Sequence, residues 1–236
     1  MNFFSVLFFL FIVVTINAQS TEGTIKYKQT TYFEFEDMRA DAPKSMEVAM
    51  RLVFSKVASL YEKDPDVVEV ENPDDNTPRM FRRMRNQGSR IYYKNIGDGK
   101  VLEQISFFGK DFLVYDSIAN VKWKVSAGEQ KIILGYTCMK ATYKDSTINL
   151  VAFFTPQIPV STGPDKYGKL PGLILEIQSA QTHIIATEVD KNPLERPIEA
   201  PKKGDKITQV DFKKLRDEKM KEQREMWGGQ GRRMYR

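Results

Sequence analysis

Few residues of this chain belong to the types that carry out catalysis. The sequence contains one histidine, His183, and one cysteine, Cys138. A Ser-His-Asp or Cys-His arrangement would have to use His183, which stands in the strand-like segment QTHIIATEV and is expected at a strand edge or on the surface. Cys138 lies between Thr137 and Met139 in another strand-like pattern and is expected to be a small buried thiol. The sequence therefore predicts no catalytic residue.

The sequence also lacks the patterns that bind cofactors and metals. It contains no Cys/His cluster for zinc, no phosphate loop, no dinucleotide fingerprint and no G-x-S-x-G segment. Two methionine pairs are spaced i,i+4, and thioethers suit Cu(I), but no helix signal, cysteine or histidine accompanies them. We expect no cofactor and no metal site. Carboxylates are numerous, so a hydrolase that uses a pair of acids is kept as an alternative, although no acid stands out.

Aromatic side chains are the residues best suited to bind a ligand. Six of them lie in strand-like segments: Phe107, Phe108, Phe112, Trp123, Phe153 and Phe154. Such rings form either a hydrophobic core or the wall of a site for an apolar ligand. Both outcomes require strands that bring the rings to one face of a sheet.

Short strands separated by turn residues run through most of the chain. Residues 24–35 alternate, and residues 49–62 fit a pair of short strands or a helix, of which the strands agree better with their neighbours. From residue 90 onward, strand-like segments follow one another with no helical period between them. The sequence predicts a mainly β fold, an antiparallel meander forming an open, half-barrel-like sheet, with a C-terminal helix. One hydrophobic face should carry Trp123, Val125, Leu173, Leu175 and Ile177.

The N-terminal end differs from the predicted β domain, which we place at residues 19–192. Residues 1–18 contain an uncharged apolar run too short to span a bilayer as a helix, and polar sequence follows it. This layout is typical of a secretory signal peptide. We expect a periplasmic or secreted protein with no transmembrane segment after signal removal. Inside the domain, residues 63–89 are polar and rich in turn formers, which predicts a flexible insertion.

The C-terminal end is predicted to contain three further segments. Three prolines make residues 193–207 a Pro-rich linker. Residues 208–227 form a charged helix that begins with a capping pair, Thr208 and Asp211, and that Gly228 and Gly229 terminate. Residues 228–236 are expected to be a disordered tail.

The formal charge of +5 is distributed unevenly. Residues 64–75 are acidic, whereas residues 79–90 are basic and include one phenylalanine. A basic segment with an aromatic ring can bind nucleic acid, but in an exported chain envelope polymers or a protein partner are better candidates. We expect a solvated surface of mixed charge and no nucleic-acid partner.

An ordered set of residues between Trp123 and Glu176 carries a family resemblance. Its centre is a six-residue stretch: Lys169, Leu170, Pro171, Gly172, Leu173 and Ile174. Before it come Lys131-Ile132, Gly135-Tyr136-Thr137-Cys138, Lys140-Ala141, Phe153-Phe154-Thr155, Ile158-Pro159 and Gly163-Pro164. The set resembles the GLPGLI family of exported bacterial proteins, with a lysine in place of the first glycine and Phe153-Phe154 where Trp-Tyr is frequent. The resemblance implies export in a Gram-negative bacterium and a sheet similar to those of periplasmic lipoprotein carriers, but no particular activity.

The segment that leads into the six-residue stretch should be rigid. Residues 155–172 hold four prolines, which fix φ, and three glycines, which permit unusual turns. One interpretation is a structural crossover that sets the angle between two strands. The other is a rigid lip beside a cavity, in which Tyr167 and Lys169, with Trp123 and Phe153, contact a ligand.

Three functional hypotheses follow. The favoured one is non-enzymatic binding, in the cell envelope, of a lipid or other apolar ligand or of a partner segment. The second is an interaction module that docks another envelope protein through its strand edges or its C-terminal helix. The third is a hydrolase that uses two close carboxylates in a cleft. The sequence does not identify the ligand or the partner.

Overall fold

Twelve strands and one helix make up the described part of the protein. A computed structural model describes residues 20–33, 43–67, 90–118, 120–144 and 148–231. The first six strands are β1 (Gly23–Tyr32), β2 (Ser45–Phe54), β3 (Ala58–Lys63), β4 (Ile91–Asn95), β5 (Lys100–Phe107) and β6 (Lys110–Ser117). The others are β7 (Lys124–Ile133), β8 (Tyr136–Lys144), β9 (Asn149–Thr155), β10 (Leu173–Gln178), β11 (Thr182–Asp190) and β12 (Asp205–Thr208). Helix α1 (Gln209–Gly231) follows directly.

All twelve strands form one open sheet in the order β12-β6-β5-β4-β3-β2-β1-β11-β10-β9-β8-β7. Strands β1 to β6 form one antiparallel meander and β7 to β11 form a second. The β1–β11 pair joins the two meanders, and β12 runs parallel to β6 at one edge. Because β12 and β7 do not pair, the sheet is not closed. The mainly β, open and mostly antiparallel fold predicted from the sequence is confirmed, as is the C-terminal helix.

Side-chain alternation explains how the strands build the core. In β4, Tyr92 and Lys94 are buried while their neighbours are partly exposed, as expected for a strand with one covered face. β10 is different, because five consecutive residues from Leu173 to Ile177 are buried. Both faces of β10 are therefore covered, which places this strand at the centre of the fold.

Two hydrophobic clusters hold the fold together. The larger includes side chains of β1 to β3 and β8 to β11 together with the segment between β9 and β10. The smaller contains Ile105, Phe112 and Val114 from β5 and β6, packed against Phe212 of α1. Because Phe212 is the one fully packed residue of the helix within the described side chains, α1 is attached to the sheet through its first turns.

Several boundaries differ from those expected. Residues 49–62 do form two strands, β2 and β3. β12 lies inside the expected linker, because Gly204, at a φ of 129°, brings Asp205–Thr208 alongside β6. α1 continues through Gly228 and Gly229 to Gly231 rather than ending before them. Val125, on the edge strand β7, is 43 % exposed and does not line the core.

Other expectations concern residues outside the described part. These are the signal peptide, most of the insertion at 63–89, of which Lys63 ends β3, and the end of the tail after Gly231. They stay predictions. Within the described residues, no helix has the length and apolar character needed to cross a membrane.

Candidate functional site

The segment between β9 and β10, residues 156–172, folds over one face of the sheet. We call this segment the motif loop, and we call the face that it covers the inner face. Ile158, Val160 and Leu170 are almost fully buried and belong to the larger hydrophobic cluster. The motif loop is therefore part of the core, in agreement with the structural interpretation of its prolines and glycines.

A buried lysine on β4 holds the motif loop in place. Lys94 has no exposed surface, and its Nζ donates hydrogen bonds to the carbonyl oxygens of Gly163, at 2.5 Å, and Tyr167, at 2.7 Å. Burial lowers the pKa of Lys94 to about 7, although the nearby Asp165 carboxylate acts in the opposite direction. A neutral amine still has two N–H donors, one for each carbonyl. The Lys94 contacts therefore do not require a charged side chain.

Three further polar contacts fix the motif loop and the strand that follows it. The hydroxyls of Ser59 and Thr162, both fully buried, lie 2.8 Å apart. The Trp123 indole donates to the Gly168 carbonyl at 3.1 Å, and the Tyr27 hydroxyl donates to the Ile174 carbonyl at 2.6 Å. Ser59 pairs with Lys94 in the β3–β4 register, so two neighbouring buried side chains hold the loop from below.

The fit between the motif loop and β10 is close. A Cβ placed on Gly163 would lie 2.7 Å from the Cβ of Ile174. At Gly172, where φ is 150°, a Cβ would lie 2.2 Å from the Thr155 carbonyl oxygen. Both separations are below ordinary contact distance, so glycine is required at each position. At these two glycines the motif loop therefore packs directly against β9 and β10.

A cleft remains on the inner face beyond the motif loop. It has a volume of about 260 Å³ and lies between β4 to β6, the tip of the motif loop and the first turns of α1. Its walls are Arg90, Tyr92, Val101, Glu103, Val114, Asp116, Ser117, Lys166, Gln209, Phe212 and Arg216. Five of these eleven residues carry ionisable acidic or basic side chains, so the cleft is polar. Its volume lies just below the range of about 300–1,000 Å³ that is typical of small-molecule sites.

The strand register places the acidic and aromatic residues of the cleft side by side. Tyr92 pairs with Glu103, and Glu103 pairs with Val114. Asp116 lies two residues beyond Val114 on β6, so it is the diagonal neighbour of Glu103 on the same face. Arg90 approaches from the residue before β4, with its Nε 3.3 Å from the Glu103 carboxylate.

Burial shifts the protonation of the groups at the cleft. The pKa of Glu103 is raised mainly by burial, an effect that the charge of Arg90 reduces. Burial also raises the pKa of Tyr92, and the charges of Asp165 and Glu103 add to the effect. Tyr92 therefore keeps its proton and is a hydrogen-bond donor at any physiological pH.

Asp165, at the tip of the motif loop, lies near many of these groups. Its φ is 52°, and its carboxylate accepts a hydrogen bond from the backbone N–H of Lys166 at 2.6 Å. Besides Tyr92, its charge contributes to raised pKa values at Tyr61 and Tyr167, where burial is the larger cause. Asp165 also lines a smaller pocket of about 50 Å³, with Tyr167, Leu150, Ile177, Ser179, Thr182 and Ile184.

The residues expected to contact a ligand do not form one site. Trp123 and Tyr167 help to hold the motif loop, and Lys169, at a φ of 62°, is exposed on it. Phe153 precedes the buried Phe154 on β9 and so faces the opposite side of the sheet. Their role as ligand contacts stays a prediction. Of these four residues, Tyr167 lines the smaller pocket of about 50 Å³.

Phe153 instead belongs to an ionic cluster on the outer face. The Glu176 carboxylate is almost fully buried, and it accepts hydrogen bonds from Lys131 at 2.5 Å and from the His183 ring at 2.9 Å. Lys131 also lies over the Phe153 ring, at 5.2 Å from its centroid. His183 is partly buried beside this acid, while Cys138 is fully buried, and burial raises the pKa of its thiol to about 11. Within the described residues, no group of three metal-ligating side chains is present.

Sequence reasoning did not single out Lys94, Glu103 or Arg216. The sequence predicts strands from residue 90 onward, and in the alternation of β4 Lys94 is in phase with Tyr92. That phase indicates that the lysine shares a face with an aromatic residue, but not that the face is buried. No sequence pattern indicates that α1 lines the cleft, because the position of α1 depends on the pairing of β12 with β6.

Comparison with known proteins finds a local match to one family model and a shared fold. A family model described as "Protein of unknown function (Porph_ging)" matches residues 143–176, which include the six-residue stretch Lys169 to Ile174. The narrower assignment to the GLPGLI family stays a prediction. No curated protein matches the chain.

Two solved structures share the fold. They are structures of PNGF-II in the P21 and C2 space groups, with TM-scores of 0.53 and 0.54 and 14 % sequence identity in both. The similarity covers 83 % and 82 % of this chain, but 33 % and 32 % of the PNGF-II chains. This chain therefore spans about a third of the length of PNGF-II. At this identity the similarity concerns the β fold alone.

Proposed function

We propose that the chain is a non-enzymatic binding protein whose site is the cleft between β4 to β6, the tip of the motif loop and α1. The observation that carries the proposal is a cleft of about 260 Å³ on the inner face of the sheet. The motif loop packs on the same face and belongs to the core there. The predicted signal peptide supports a cell-envelope location, so we propose that this binding takes place in the periplasm or outside the cell.

The chemistry of the cleft favours a polar ligand over the apolar ligand expected from the sequence. Phe153 lies in the ionic cluster on the outer face, and Phe154 is buried in the core. Phe112 packs in the smaller hydrophobic cluster. The cleft instead presents ionisable groups together with the Tyr92 ring and Phe212. Such a lining fits a small molecule that has both a flat apolar part and polar groups.

Mass spectrometry of the protein purified gently from its native cells tests this proposal. Native and organic-extracted samples are compared for the wild type, for Asp116→Trp, which places a large side chain in the cleft, and for Ala180→Trp, a control in the exposed β10–β11 turn. A small molecule that is retained by the wild type and the control but lost from Asp116→Trp supports the cleft as the site. Equal retention by all three proteins contradicts it, as does a wild-type protein free of any bound molecule.

A hydrolase is the second candidate, and one observation favours it. Glu103 and Asp116 line the same cleft as diagonal neighbours, a relationship that separates two residues by about 7–8 Å and their β-carbons by somewhat less. Inverting glycosidases place their two carboxyl groups about 6.5–9.5 Å apart, and a raised pKa such as that of Glu103 suits a general acid. Assays with aryl glycosides test this candidate: it requires activity that Glu103→Gln and Asp116→Asn each abolish.

An interaction module has support from the edge strand β7. This ten-residue strand pairs only with β8 in the described sheet, and Ile132 on it is 75 % exposed. A partner strand could pair with β7 by β-augmentation. However, the register of β7 shifts between Ser126 and Gln130, which interrupts a continuous pairing edge. For this reason we place the module after the cleft-binding proposal.

A further inference from the structure

The charges of the cleft are not balanced. Its basic side chains are Arg90, Lys166 and Arg216, and its acidic side chains are Glu103 and Asp116. Arg90 and Glu103 form an ion pair at 3.3 Å, and Glu103 is the more buried member. This pair neutralises itself, so the charge that a ligand meets depends on the other three groups.

The two remaining cations lack a strong partner among the described residues. No described carboxylate lies within ion-pair distance of Lys166, whose Nζ is 5.9 Å from the centroid of the Tyr167 ring. Among the described acids, Arg216 contacts only the adjacent Asp217, through Nε at 3.6 Å, which is too long for a hydrogen bond. Both side chains therefore keep N–H donors for another molecule.

Asp116 does not neutralise these cations. Its Oδ1 accepts a hydrogen bond from the Ser117 backbone N–H at 2.7 Å, and no described cation lies within ion-pair distance of it. Lys166 and Arg216 also belong to different elements, the motif loop and α1, and they line the same cleft. An anion placed between them would join the two walls.

From this arrangement we infer that the ligand carries an oxyanion, a carboxylate or a phosphate, which Lys166 and Arg216 bind together. The inference rests on the proposed binding function and names the chemical class of its ligand. The planar guanidinium of Arg216 can donate two parallel hydrogen bonds to either group, and Lys166 adds a point charge. Tyr92 and Phe212 contact the apolar part of the ligand.

A matched set of aromatic probes tests the inference by NMR titration of the ¹⁵N-labelled protein. The probes are benzoate, phenyl phosphate, benzyl alcohol and benzylammonium, which differ in charge but share a ring. We expect benzoate or phenyl phosphate to shift the amide signals of β4 to β6, residues 165–167 and the first turns of α1, with weaker binding at high salt. The stronger of the two identifies the oxyanion.

Variants separate the outcomes. Lys166→Ala and Arg216→Ala should each weaken binding of the anionic probe about tenfold, whereas Arg224→Ala, about two turns further along α1, should not. Cleft binding of benzyl alcohol or benzylammonium that equals or exceeds that of the anions overturns the inference and leaves the binding function intact. Anion binding that is unaffected by Lys166→Ala and Arg216→Ala overturns it as well. If none of the four probes shifts the cleft signals, both proposals fail.

Discussion

The side-chain nitrogen of Lys94 donates a hydrogen bond to the backbone carbonyl of Gly163, 69 residues further along the chain. This contact joins the C-terminal end of β4 to the middle of the motif loop, inside a core where a lysine is rarely found. Ser59 beside it contacts Thr162, so two neighbouring polar side chains anchor residues 162–167 of the loop. These contacts also position the tip of the loop, residues 165–167, and Lys166 at this tip lines the cleft.

The buried Lys94 should make stability depend on pH. Its pKa is about 7 in the folded protein and 10.5 in the unfolded chain. Between these values the unfolded chain binds more protons, so the free energy of unfolding rises with pH. The gain from pH 7 to pH 9 should be about 2 kcal/mol and absent from Lys94→Met, as measured by urea denaturation. Lys100→Met, at an exposed position, should follow the wild type; parallel curves for all three proteins would contradict the prediction.

The pH range of this measurement has an upper limit. Burial raises the pKa of Tyr27, Tyr61 and Tyr92 in the folded protein. A raised folded pKa contributes stability that is lost once the pH exceeds the unfolded value, about 10 for tyrosine. Above about pH 10 the tyrosines therefore lower the free energy of unfolding, which is the opposite of the effect of Lys94. The stabilities of the variants should be compared below that pH.

Ser59 and Thr162 should act as a coupled pair. Each hydroxyl is fully buried, so Ser59→Ala or Thr162→Val leaves the other without its partner and should cost about 1–3 kcal/mol. The double variant should lose less than the sum of the two single variants, because it removes both polar groups. Denaturation of the four proteins in a double-mutant cycle measures the coupling. Additive losses would mean that the contact does not stabilise the loop.

Gly163→Ala should destabilise the fold by overpacking. The added Cβ would lie 2.7 Å from the Cβ of Ile174, and both neighbouring segments are anchored. A loss of about 1–3 kcal/mol is expected from such a clash in a packed core. Gly97→Ala is the control, since the nearest atom to its Cβ would be 3.6 Å away in the side chain of Asn95. Equal stabilities of the two variants would show that the loop can move away from β10.

Phe212→Ala should release α1 without unfolding the sheet. The Phe212 ring packs against Phe107 and Phe112, at centroid distances of 5.6 and 5.5 Å. Its loss removes the main anchor of the helix and one wall of the cleft. Hydrogen exchange should show faster exchange in β12 and α1 with little change in β1 to β3, and Val210→Ala, at an exposed helix position, should show neither effect. Protection of α1 that survives Phe212→Ala would contradict the prediction.

Local patterns were sufficient to predict the sheet but not the cleft. β2, β4 and β10 could be predicted because β-branched and aromatic residues alternate or cluster between turn residues. β12 could not, since four residues, DKIT, after a proline-rich segment carry no strand signal of their own. Its pairing comes from the tertiary approach of Gly204 to Phe112, where a Cβ on the glycine would lie 2.8 Å from backbone atoms.

Charge was the least predictable feature of the site. Lys94 and Glu103 look like ordinary surface residues in the sequence, because charged residues also occupy the exposed face of a strand. The two residues become largely buried only in the folded protein, where the motif loop and α1 cover this part of the sheet. Arg216 is exposed, as most charged residues of α1 are, and only its position at the cleft, which the sequence does not show, distinguishes it from them.

The β1–β11 pair also sets the order in which the chain can fold. Thr187 of β11 contacts Lys26 of β1 across 161 positions of sequence, and within the described sheet the two meanders pair only through these strands. Contacts of such high sequence separation slow folding, because a long loop must close before they form. During synthesis β1 has its β2 partner early but exposes its other edge until residue 190 has emerged. Until then that edge is a template for pairing with other chains, so production of the protein should depend on chaperones that hold the early meander.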